Sequence, residues 1–63
     1  MHGDKYTETP KQKRIFRLLA ALQQVDNITQ LTKDNDWKEY IYSHLVQIKF
    51  ELERQLQQER DNE

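Results

Sequence analysis

A chain of 63 residues with no cysteine, 33% charged and 35% hydrophobic side chains and a formal net charge of -1 has room for one domain and no disulfide to staple it. A domain of about 60 residues buries only about 60% of the surface its unfolded chain exposes, and cysteine-based zinc clusters are excluded as well, so association is the staple that remains. Near-neutral charge favours no particular partner, and with no apolar run near about 18 residues neither a membrane span nor a secretory leader is indicated, which makes the cytoplasm the expected location.

Residues 1–8 hold the only glycine, Gly3, and no apolar periodicity, so they read as a flexible N-terminal tail. Thr9, Pro10 and Gln12 then signal a helix start. Thr9 can cap, Pro10 suits the first helical position where its missing N–H costs nothing, and Gln12 completes capping-box spacing. The spacing of Ile15, Leu18, Leu19, Leu22 and Val25 predicts helix 1 over 10–25. Beyond Val25 the pattern slips, because Ile28 and Leu31 would rotate off that stripe. A break near Asp26 and Asn27 is therefore expected, with a connector over 26–36 in which Ile28 and Leu31 plug the end of the hairpin.

Asp34, Asn35 and Asp36 form a turn cluster, and Asp36 with Glu39 has capping-box spacing ahead of helix 2, expected over 37–58. That helix carries one stripe of Trp37, Ile41, Leu45, Ile48, Leu52 and Leu56. Tyr42, Val46 and Phe50 fall a quarter to a half turn away. The helix should fray after Leu56, with residues 60–63 outside the folded hairpin of 9–59.

The fold class that follows is all-α, an antiparallel two-helix hairpin dimerising into a four-helix bundle. One stripe of helix 2 can be covered by helix 1, and the other needs a second chain. At about 1.5 Å per residue helix 1 would be about 24 Å long and helix 2 about 34 Å, leaving Leu52 and Leu56 in an overhang that a partner covers. The expected protein interface is Tyr42, Val46, Phe50, Leu52 and Leu56. Leu19, Leu22, Ile41, Leu45 and Ile48 should form the core.

Chemistry-bearing residues are sparse. His44 and His2 are the only histidines, and neither Glu39 nor Glu51 stands at the spacing that would set a carboxylate beside His44. Trp37, Tyr40 and Tyr42 fit a bundle-end seal with wet polar tips better than a ligand platform. No phosphate loop, nucleophile motif or paired-histidine motif is present, so no catalytic residue, cofactor or metal is expected. The start of helix 1 is locally basic, and Lys11, Lys13, Arg14 and Arg17 with Phe16 are candidate nucleic-acid contacts. A charge run is more often a solvated face. The reading is thus a small non-enzymatic adaptor or regulator acting through protein contacts of helix 2, a homodimer open to a larger protein partner. The alternative is a dimeric RNA- or DNA-binding regulator.

Overall fold

The computed structural model describes residues 9–61, and the expectations for residues 1–8 and 62–63 fall outside them. Two helices, α1 from Pro10–Leu31 and α2 from Lys38–Asp61, pack against each other as a hairpin. The start of α1 is built as its sequence dictates. Gln12 N–H donates to Thr9 Oγ1 at 3.1 Å and Thr9 N–H donates to Gln12 Oε1 at 2.9 Å, closing a reciprocal capping box with Pro10 in the first turn. Thr9→Ala is expected to cost about 1 kcal/mol and to lower the melting temperature by about 4–8 °C at fixed protein concentration. Thermal circular dichroism checks this, with Thr9→Ser retaining the wild-type value.

The break expected at Asp26 and Asn27 does not occur, for α1 runs unbroken to Leu31. Its inward row is Lys11, Ile15, Leu18, Leu22, Val25, Thr29 and Thr32, alternating four and three residues apart, and each of these is buried or half-buried. The slip of the apolar pattern therefore marks where threonine replaces leucine on a continuing row. Thr29 Oγ1 donates to the Val25 carbonyl at 2.9 Å and Thr32 Oγ1 to the Ile28 carbonyl at 2.7 Å, which satisfies both hydroxyls within the helix. Asn27 is tied to the Gln23 and Gln24 side chains instead of ending the helix. Ile28 and Leu31 are not plugs; they lie off the inward row, 42% and 83% exposed.

The turn between the helices is short. Asn35 N–H donates to the Thr32 carbonyl at 3.0 Å, and Asn35 Oδ1 accepts from Trp37 N–H at 2.8 Å. This Asx turn delivers the chain into α2, whose first bond runs from Ile41 N–H to the Trp37 carbonyl at 2.9 Å. The side-chain bond at this end thus comes from Asn35, not from Asp36, and it goes to the residue just ahead of α2.

Longer α1 removes the overhang. With 22 and 24 residues the helices are about 33 and 36 Å long, nearly matched. Leu56 is buried and Leu52 half-buried against the chain's own α1 side, and α2 continues to Asp61 rather than fraying after Leu56. Arg14 Nε donates to Glu59 Oε2 at 3.0 Å, tying the start of α1 to the end of α2.

The core is thin. Val25, Leu45 and Leu56 are the buried apolar residues among those described, at 8% exposure each, with Leu22 and Ile41 half-buried beside them. Leu19 and Ile48, expected inside, are exposed. The inward row of α1 takes Leu18 and Leu22 and leaves Leu19 flanking, while on α2 the step between Leu45 and Leu52 is split, with Ile48 lying to one side and Lys49 to the other.

Candidate protein-interaction face

On the Lys49 side, the two helices flank a groove of about 430 Å³. Its apolar wall is Leu22 and Val25 from α1 and Tyr42, Val46 and Phe50 from α2. The spacing of Tyr42, Val46 and Phe50, four residues apart, sets them in a row on one side of α2. Thr29 and Leu45 also line it, as do three charges, Asp26 from α1 with Lys49 and Glu53 from α2. Val46 is 43% and Phe50 69% exposed, although both belong to residue types that small domains ordinarily cover.

Of the expected interface residues, Tyr42, Val46 and Phe50 therefore share this groove, whereas Leu52 and Leu56 belong to the hairpin's own interior. Leu22, Val25, Asp26, Thr29, Leu45, Lys49 and Glu53 line the same groove and were not among the residues expected there. Lys49 and Glu53 are four residues apart in line with Val46 and Phe50, so their membership of the face was readable from α2 alone; the α1 residues needed the helix register.

The residues of the basic start of α1 separate. Arg14 and Arg17 line a different groove, into which α2 brings Arg54, Gln55, Gln58 and Glu59. Lys11 is half-buried on the inward row and Lys13 is exposed outside that groove. Phe16, 63% exposed, stands nine residues from buried Val25, which at 3.6 residues per turn sets it on the back of α1.

His44 has a local role. Its Nδ1 lies 2.9 Å from the Tyr40 carbonyl, and its ring centroid is 4.4 Å from that of Tyr40. Tyr40 in turn meets Trp37 edge-on at 6.2 Å. No carboxylate joins this ladder, and among the described residues no group of three or more His, Asp or Glu is placed to hold a metal. Among the described residues Glu51 is the one carboxyl displaced far from its ordinary range. Hydrogen bonds from Arg54, at 2.9 and 2.6 Å, and then from Gln55 lower its pKa to about 2. The pair is about half exposed and spans one helical turn, so it orders the surface of α2. No described helix is long and apolar enough to cross a membrane. No protein-family model, curated protein or solved structure matches the chain.

Proposed function

We propose that the protein is a non-enzymatic helical interaction module, an adaptor or regulator that works through protein contacts of α2, and that two hairpins pair across the Tyr42, Val46 and Phe50 groove into a four-helix bundle. The observation that carries this is the imbalance between inside and outside. Among the described residues three apolar side chains are buried, while ten large apolar ones are exposed, Tyr42, Val46 and Phe50 of the groove among them.

The occupant that fits is a second copy. Two helices about 33 and 36 Å long and about 10 Å wide offer a face of about 700 Å², close to the about 800 Å² each partner contributes to a standard interface. The groove carries both signs of charge, Lys49 with Asp26 and Glu53, so a twofold mate presents acids to each lysine. A hairpin with so thin a core and no cysteine is stabilised by a cover, and the partner always present is its own copy.

Folding and assembly are then linked by mass action, so the melting temperature rises with protein concentration, and sedimentation at micromolar concentration gives a dimer. A monomer with concentration-independent melting would refute the homodimer and leave the face to a larger protein.

A further inference from the structure

The second groove lies back to back with the first. Arg17 and Asp26 stand nine residues apart on α1, as do Val46 and Gln55 on α2, and at 3.6 residues per turn that separation sends each pair to opposite sides of its helix. Arg17 and Gln55 line one groove, Asp26 and Val46 the other, so pairing across the apolar groove leaves the arginine groove open to solvent.

Here three arginines from both helices line a groove of about 480 Å³, Arg14 and Arg17 of α1 and Arg54 of α2, together with Leu18, Gln55, Gln58 and one acid, Glu59. The lining is net positive on a protein of formal charge -1. Two of the three arginines are held by acids. Arg14 gives its Nε to Glu59 at 3.0 Å, and Arg54 gives Nε and Nη2 to Glu51 at 2.9 and 2.6 Å. A guanidinium has five N–H donors, so both keep donors to spare and have their planes fixed in advance. Arg17 meets no acid among the described residues.

We propose that this arginine groove is a second binding site, for the phosphate backbone of a nucleic acid. Planar N–H forks match phosphate oxygens in a way that a point charge does not, and the glutamine amides add neutral donors between them. A nucleic acid carries a charge on every nucleotide and so addresses all three arginines along one strand. The site includes Arg14 and Arg17 of the basic start of α1 and adds Arg54, while Lys13 and Phe16 stand outside it.

The test is fluorescence anisotropy of the full chain with a labelled RNA stem-loop and with duplex DNA of matching sequence, over a salt series, and with poly-glutamate as competitor. Binding is expected to weaken with salt, with a slope of log K against log salt of about -2 for three contacts to the single-stranded loop and about -2.7 for three to duplex DNA, and the stronger of the two arms identifies the polymer. Arg17→Gln, Arg54→Gln is expected to make the loop slope shallower by about 1.4, with circular dichroism and sedimentation unchanged. Arg17→Lys, Arg54→Lys, which keeps charge without the fork, should restore most of the slope but only part of the affinity. Phe50→Glu, on the other face, should leave the dependence on Arg17 and Arg54 intact. Absence of salt-dependent binding, full binding by the glutamine double variant, or poly-glutamate binding as tight as RNA would overturn the assignment, the last giving the groove to an acidic peptide.

Discussion

Leu45→Ala is expected to leave the chain largely unfolded at room temperature. Leu45 is one of three buried apolar residues among those described, each at 8% exposure, and it sits in the first third of α2, where a two-helix hairpin has no second layer to collapse into the space. Truncating a buried leucine to alanine costs about 2–5 kcal/mol, and a domain of this size has about 3–9 kcal/mol in total. Far-ultraviolet circular dichroism should lose most of its helical signal at micromolar concentration. Leu19→Ala offers the contrast, since Leu19 is 44% exposed and off the inward row; its effect on the isolated hairpin should be well under half as large. Equal melting of Leu45→Ala and wild type would show that the inward row has been misplaced.

The second large effect is expected from Val46→Glu, Phe50→Glu. In a single hairpin both positions are exposed, 43% and 69%, so two carboxylates there cost the monomer little. In a bundle they would be buried in an apolar groove that already holds Asp26 and Glu53. Burying an unpaired charge costs at least about 3 kcal/mol, which raises the dissociation constant more than about 100-fold. Sedimentation should shift to monomer, and the melting temperature should fall and lose its dependence on concentration. If the double variant keeps the wild-type mass, the groove is not the dimer interface; if wild type is itself a monomer, the groove serves another protein.

How much of this was legible in the sequence differs along the chain. The start of α1 was, because Thr9, Pro10 and Gln12 act within one turn of backbone and need no tertiary contact to form the box seen at 2.9 and 3.1 Å. The end of α1 was not. Apolar periodicity stops at Val25, yet the segment from Asp26 to Leu31 contains neither glycine nor proline, and Thr29 and Thr32 can occupy inward positions once their hydroxyls bond back to the helix. Reading the loss of hydrophobicity as the loss of helix shortened α1 and created the apparent overhang of Leu52 and Leu56.

The row of Tyr42, Val46 and Phe50 was determined by spacing on α2 alone, since four-residue steps place side chains together whatever packs nearby. Which residues of α1 join them was decided only by the tertiary structure. The turn through Asn35 sets how far α1 and α2 slide past each other, and that register puts Leu22 and Asp26 across from Val46 and Lys49 on one side and Arg14 beside Glu59 on the other. Register also decided that Arg54 lines one groove with Arg14 and Arg17, residues about forty positions away in the chain. Local rules for caps and periodicity act over one or two turns and are written in neighbouring residues, whereas the alignment of two helices depends on the length of the first and the geometry of the turn, and an error of one turn in either moves every cross-helix pairing.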